Sequence, residues 1–478
     1  MEEQELGPRR LRNQKQREPR SDERVMALRQ RLNRPGFEAR ESQPVLIPRS
    51  MPSAPTRLPP ATDYMTPEFQ AVKARVQEAL LEADGRSEDQ DREALKNQIS
   101  ALLSNEPSIS PVERDSVADL LTDEIKGFGP IQPLLEDATV SEVMINGPRR
   151  VFIEREGRLE VTRVVFRDEQ HLRQIMEKML ASSGRRVDER SPMVDARLPD
   201  GSRLNAVIRP IALHGDSVTI RKFSKDPFTL VQLVDRRTLS QGMATFLDAA
   251  VRGRVSIVVS GGTGSGKTTT LNALSASIPD HERIITIEDA AELQLQQEHK
   301  VTLEARPPNI EGQGEISIRA LVRNALRMRP DRILVGEVRG GEALDMLQAM
   351  NTGHEGSLTT AHANTPRDCL SRLETMVLMA GTELPLAAIR QKIASAVDLI
   401  VQQARMPDGK RRIVQITEVV GMEGGTIVTQ DLFTYDPGED AAGYDPFVPS
   451  GIRPQCLAQM ERNGVEAPAV VFHGRALS

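Results

Sequence analysis

The sequence predicts an α/β protein of several domains: a parallel-sheet α/β domain over residues 229–436, an α+β domain before it over 128–223, and a helical module over 64–127. Three observations carry that expectation. Apolar runs such as Val255 to Val259, Ile284 to Ile287 and Ile333 to Val335 alternate with longer helical stretches, the pattern of a sheet covered on both faces. Between 128 and 223 the apolar spacing shortens to that of strands and hairpins. Ahead of 128 it lengthens to three and four residues. A length of 478 residues accommodates two or three cores of this kind.

Residues 1–63 are mildly basic, rich in proline and without a sustained apolar period, and are expected to be disordered. Two readings of this tail stand: a solvated leader, and a segment drawn to anionic lipid or to a partner. In the helical module Phe69, Val72, Val76, Ala79 and Leu80, then Leu95, Ile99 and Leu102, mark helix faces. A third helix is expected to start at Ser110-Pro111-Val112-Glu113, with the hydroxyl as N-cap and Glu113 closing a capping box, and to stop at Gly127.

In the α+β domain, Val151-Phe152-Ile153 and Leu159-Glu160-Val161 flank Gly157 as a hairpin, and 168–181 repeats apolar residues at helical spacing. Segments 195–198 and 203–208 form a second hairpin across Pro199-Asp200-Gly201-Ser202, and Val218-Thr219-Ile220 is a further strand. Residues 224–228 read as a linker and natural hinge. Residues 437–478, broken by Pro437, Gly438, Gly443, Pro446 and Pro449, read as a loop-rich extension with a short helix near 454–462 and no assigned function.

Composition removes several function classes. The 62 Lys and Arg against 68 Asp and Glu leave a net charge of −6, too small an imbalance to draw a polyanion in bulk. Zero Trp, 3 Tyr and 11 Phe offer few platforms for stacked bases, so no nucleic-acid partner is expected. No uncharged stretch approaches the ~20 apolar residues of a spanning helix. Cys369 and Cys456 cannot build a disulfide framework or a four-ligand zinc site, and with no signal-peptide pattern they fit a reducing cytosol.

The chemistry concentrates in the α/β domain. Gly261-Gly262-Thr263-Gly264-Ser265-Gly266-Lys267-Thr268 directly follows a buried-strand run and precedes a helix opening on Thr269-Thr270-Leu271. This is G-x-x-x-x-G-K-[ST] in the context it requires. Glycines turn backbone N–H groups around phosphate oxygens, Lys267 reaches the β/γ-phosphates, and Thr268 is a ligand for Mg²⁺. A carboxylate is needed near the γ-phosphate; Glu337, closing the run from Arg332, is assigned to polarising the attacking water and supporting Mg²⁺ indirectly. Glycine at 336 occupies the place where an aspartate commonly stands. Glu288, Asp289 and Glu292 follow another apolar run and read as metal- or water-positioning groups, or as caps of a following helix. His354 and His362 have too few neighbouring ligands for zinc, and spacing alone reads them as packing residues.

From about 110 to 465 the chain resembles the CpaF/TadA group of type II/IV secretion ATPases, which power tight-adherence (Tad) pili. The segments that carry the resemblance are GFGPIQPLLED (127–137), VDARLPDGSRLNAVI (194–208), VTIRKFSKDP (218–227), SGGTGSGKTTTLNAL (260–274), ITIEDAAELQL (285–295), the run from 306 to 357, and TTAHANTPRDCLSRLETMV (359–377). The resemblance implies a RecA-like P-loop ATPase domain behind a PAS-like α+β domain. It makes 260–268 the Walker A loop, 285–293 the Asp box, 333–337 an atypical Walker B and 353–364 the His box, and gives His362 a place beside the γ-phosphate. It also implies a homo-hexameric, Mg²⁺-dependent ATPase whose α+β domain delivers arginines to the nucleotide, with Arg203 and Arg221 as the candidates. Arg209 stands where the family shows proline. By the same resemblance the chain is cytoplasmic, peripheral to the inner membrane, and works with polytopic platform proteins and, through them, pilin. A tetracysteine zinc insertion found in other branches is absent. Two other function classes stay open: a nucleotide-gated scaffold, and a DNA or conjugation-type secretion motor.

Overall fold

A computed structural model describes residues 67–83, 91–223, 227–308, 313–441 and 445–466. The expected tail over 1–63 and residues 224–226 of the expected hinge lie outside them. Helices Pro67–Ala83, Arg92–Leu103 and Arg114–Ile125 bury Phe69, Val72, Leu95, Ile99 and Leu121 in a small core of their own. The third helix begins later than its capping-box signature predicts. Ser110 spends its hydroxyl as a donor to the Glu113 carboxylate at 2.7 Å rather than accepting an amide, and residues 111–113 form a turn. Its far end is closed from another element: Lys178 donates to the carbonyls of Ile125 (2.8 Å) and Gly127 (2.7 Å), satisfying groups the helix leaves orphaned.

Lys178 belongs to helix Glu169–Ala181, N-capped by Asp168, which covers one face of an antiparallel sheet. Its strands are β1 Val140–Asn146, β2 Val151–Arg155, β3 Arg158–Val161, β4 Met193–Arg197, β5 Arg203–Val207 and β6 Ser217–Arg221, in the order β3-β2-β1-β6-β5-β4. β1, which the hairpin signals did not reveal, is the central link. Alternation is clean: Val143, Ile145, Ile153, Leu204, Ala206, Val218 and Ile220 face the helix and form the core. The other face is therefore polar, and it lies against the next domain.

The second sheet is built from β7 Ile257–Gly261, β8 Ile284–Glu288, β9 Lys300–Glu304, β10 Arg332–Val338, β11 Leu358–Ala361, β12 Leu399–Arg405, β13 Arg411–Glu423, β14 Thr426–Tyr435 and β15 Phe447–Pro449. Its order is β15-β14-β13-β12-β7-β11-β10-β8-β9. From β12 to β9 all neighbours are parallel, and β7, β8 and β11 are buried along their whole length, which is why they read as unbroken apolar runs. Antiparallel strands extend one edge. The segment after 436 is more than an extension: Phe447, Cys456, Leu457 and Met460 are buried in the same core as Phe246, Leu247 and Phe433. Breaker residues gave the loops, while the apolar residues between them were too sparse to show a periodic core face. Among the described residues no helix is long and apolar enough to cross a membrane.

Candidate active site

Parallel strands point all their C-terminal ends one way, and the glycine loop, Glu288, Glu337 and His362 sit at that edge. β7 ends in the loop 261–266, and helix Lys267–Ser275 starts directly behind it. Gly266, the N-cap, has φ 95, a conformation that an L side chain rarely adopts, so the turn that aims the amides inward depends on glycine here. Ser265 Oγ braces the loop on the Gly262 carbonyl at 2.9 Å. Lys267 Nζ donates to the same carbonyl at 3.2 Å and lies 4.0 Å from Glu337 Oε1. Burial lowers the Lys267 pKa; Glu337 opposes this, and the positive charges of Arg221 and Arg339 add to it. Lys267, Arg339 and Arg221 thus gather at one place, each facing a carboxylate.

Glu337 reaches the loop from the end of β10, one strand beyond β11. Its Oε2 accepts from Arg339 Nε at 2.8 Å and from Arg339 Nη2, and Arg339 Nη1 stands 3.4 Å from Asp289. The Glu337 side chain is 22 % exposed, so water can reach it. Thr268 follows Lys267 on the helix, and Thr263 and Thr269 complete the turn's hydroxyls. Among the described residues no group of three or more His, Cys, Asp or Glu could hold a metal. The oxygen donors here, Thr268 and Glu337, are hard ligands that fit Mg²⁺ carried mainly by phosphate oxygens.

Glu288 faces a different way. The last residue of β8 and buried, it accepts backbone N–H groups from Glu292 (2.8 Å) and Leu293 (3.1 Å), closing the loop that follows the strand. Burial pushes its carboxyl up to about 7, against the pull of those amides. No helix follows Asp289, which removes the helix-cap reading of that residue; it is exposed and faces Arg339. Glu292 receives Arg203 Nη1 at 2.9 Å and has Arg221 Nη1 at 3.8 Å. Both candidate arginines thus lie over the Asp box of their own chain.

His362 follows β11 and lines a groove with Arg339, Asn364, Asp368 and Arg372. His354 is elsewhere: its Nδ1 is 3.0 Å from the Pro330 carbonyl. Arg209 is also turned away, 3.3 Å from Glu169. Two residues at the mouth escaped sequence reasoning. Arg339 follows the Walker B glutamate by two, and a strand's alternation alone does not say that both side chains meet. Arg197 donates to Glu304 Oε2 at 2.8 Å and to the Ala291 carbonyl at 3.0 Å. It was legible in principle, since the 199–202 turn pairs it with Arg203.

Comparison with known proteins follows the same lines. A family model described as "Type II/IV secretion system protein" matches residues 124–426. A Mycobacterium tuberculosis protein named for conjugal transfer is 38% identical over 311 residues, 64% of this chain and 88% of its own. The conjugal transfer protein TrbB of Rhizobium radiobacter is 36% identical across 61% of this chain and 86% of its own. The type IV secretion system protein VirB11 of Bartonella quintana is 34% identical across 65% and 95%. Among solved structures, the VirB11 ATPase from the Brucella suis type IV secretion system, in complex with sulphate, aligns at 32% identity over 60% of this chain and 94% of that one, with a TM-score of 0.34.

Proposed function

This chain belongs to the type II/IV secretion system protein family and is an ATP hydrolase, and from that premise we propose that it works as a homo-hexameric, Mg²⁺-dependent motor of a secretion or Tad-type pilus machine. The observation that carries the reading is one convergence: a half-buried lysine facing a water-accessible carboxylate at 4.0 Å, a glycine turn that opens a helix, and arginines from a second domain, all at one sheet edge. Water is the nucleophile, Glu337 takes its proton, and ADP and phosphate leave. Mg²⁺, held by phosphate oxygens with Thr268, would neutralise charge on the transferred group. Lys267 orients the β/γ-phosphates, and Arg203 and Arg221 answer the charge that develops on the γ-phosphate. Work requires the closed pose of the two domains to bind nucleotide better than the open one.

The cellular setting is a cytoplasmic ring on the inner membrane, passing domain movements to polytopic platform proteins and through them to pilin or cargo. Relatives named for conjugal transfer favour a second reading, a conjugation-type motor. ATPase stimulation by DNA would select it, and stimulation by membrane partners alone would select the pilus reading. The site itself is tested by two substitutions. Lys267→Ala is expected to abolish nucleotide binding, whereas Glu337→Gln keeps ATP bound and loses hydrolysis by two orders of magnitude or more, roughly 3 kcal/mol of transition-state stabilisation. Near-normal turnover in Glu337→Gln overturns the assignment of the base.

A further inference from the structure

We infer that Glu154, gripped by Arg405 and Arg411, is a positioning residue that pins one end of the α+β sheet beside the P-loop so that the arginines at the other end can meet phosphate. The inference rests on the P-loop being the ATP site.

Strand register sets up the geometry. Glu154 on β2 is opposite Glu142 on β1; Glu142 is opposite Arg221 on β6; Arg221 is opposite Arg203 on β5; and Arg203 is opposite Arg197 on β4. Residues directly opposite share a face, and their neighbours Val143, Ile153, Leu204 and Ile220 occupy the core face. Five charges therefore form one cross-strand row on the polar face: two acids, then three arginines. Like charges placed directly opposite destabilise a sheet, and this row contains three such pairs. Within its own domain the row is a conflict.

The P-loop domain resolves it. Arg411 Nη2 donates to Glu154 Oε1 at 2.8 Å, and Arg405 Nη1 lies 3.7 Å from Oε2 while its Nη2 donates to the Gly157 carbonyl. At the other end, Arg203 and Arg221 meet Glu292, and Arg197 meets Glu304. With strands ~4.8 Å apart, five row positions span ~19 Å, and their long side chains reach from Arg405 on β12 to Glu304 on β9 in the sheet below. The row lies across the mouth.

Its two ends differ. The Glu154 side chain is 11 % exposed and shared by two arginines, whereas the Arg203 and Arg221 side chains are 42 % and 55 % exposed and share Glu292, Arg221 lying also 4.0 Å from Glu142. A triphosphate competes with Glu292 for those two arginines and leaves Glu154 with its own pair. Arg411 also donates to the Gly264 carbonyl at 3.3 Å, fastening the acidic end to the phosphate loop itself. The acidic end is the pivot and the basic end is the moving jaw.

Glu154→Gln in the full chain tests this with two independent readouts. Without nucleotide, pulsed electron spin resonance between labels on Met193→Cys and Leu378→Cys, both exposed positions, should show a broadened interdomain distance; an unchanged distribution overturns the pivot. In the assembled enzyme, kcat should fall at least tenfold, ~1.4 kcal/mol, with ADP affinity within twofold of the parent. An equal loss of ADP affinity would place Glu154 in the construction of the P-loop instead, and an unchanged kcat also overturns the proposal. Glu154→Gln combined with Arg411→Gln should be no worse than the worse single variant; additive losses sink it. A melting curve checks folding, and if Glu154→Gln does not fold, Arg405→Gln takes the same two measurements. A parent enzyme without hydrolysis defeats the ATPase reading but leaves the distance measurement decisive.

Discussion

Glycine stands at 336 because Glu288 fills the space a side chain would need: a Cβ there would lie 2.8 Å from Glu288 Cγ. The missing Walker B aspartate is thus explained by the acid of the neighbouring strand, since β8 and β10 run side by side in parallel register. An apolar run ending in Glu announces a carboxylate at the sheet edge, but not whether it turns to nucleotide or to backbone amides. Glu288 does the second. Its folded pKa of about 7 lies above the ordinary 4.5, so the fold prefers its neutral form. The sign follows: this contribution is fully present below pH ~4.5 and is lost as pH rises through 7, to a total of roughly 3 kcal/mol. Glu288→Gln, which keeps an acceptor for the loop amides, should flatten that part of the stability curve. Melting temperatures of both proteins between pH 4.5 and 8 would check it, and parallel curves would show that Glu288 is not the titrating group.

Two hairpins decide the site at the level of elements, and each could be read further in sequence than its turn alone suggests. Pro199-Asp200-Gly201-Ser202 and Pro407-Asp408-Gly409-Lys410 are both turns, and each is flanked by an arginine pair: Arg197 with Arg203, and Arg405 with Arg411. Side-chain period 2 then places both arginines of a pair on one face. What a hairpin cannot tell is which domain that face meets, because the contact joins residues far apart in sequence. Arg203 and Arg221 meet Glu292, and on the proposed function that carboxylate competes with the γ-phosphate for them. Glu292→Gln should therefore raise affinity for ATP relative to ADP, roughly 3- to 10-fold given the worth of a partly exposed charged pair. Equilibrium binding of fluorescent ATP and ADP analogues to the non-hydrolysing Glu337→Gln background would measure it. An unchanged ratio would put both arginines out of the γ-phosphate's reach.

Across the whole molecule, the parallel sheet and the P-loop were legible because buried strands and glycine turns write themselves locally. The docking of the α+β domain was not, because it depends on charge register between two sheets. That docking carries a consequence for a ring. Arg203 and Arg221 meet Glu292 and Arg197 meets Glu304, so within one chain the arginines overlie the sheet edge that carries that chain's own P-loop. If assembly keeps this arrangement, each site is complete in cis. Subunits carrying Lys267→Ala and subunits carrying Arg221→Ala would then fail to help one another when mixed. An arrangement in trans predicts the reverse, since a Lys267→Ala subunit would lend its intact Arg221 to a neighbour's intact P-loop. We expect phosphate release from the mixed rings to stay at the proportion-weighted mean of the two separate variants at every mixing ratio. A bell-shaped gain near equal proportions would mean that the arginines change owners on assembly. Separate assays of each variant fix the baseline, and sedimentation of the mixture confirms that the subunits have assembled together.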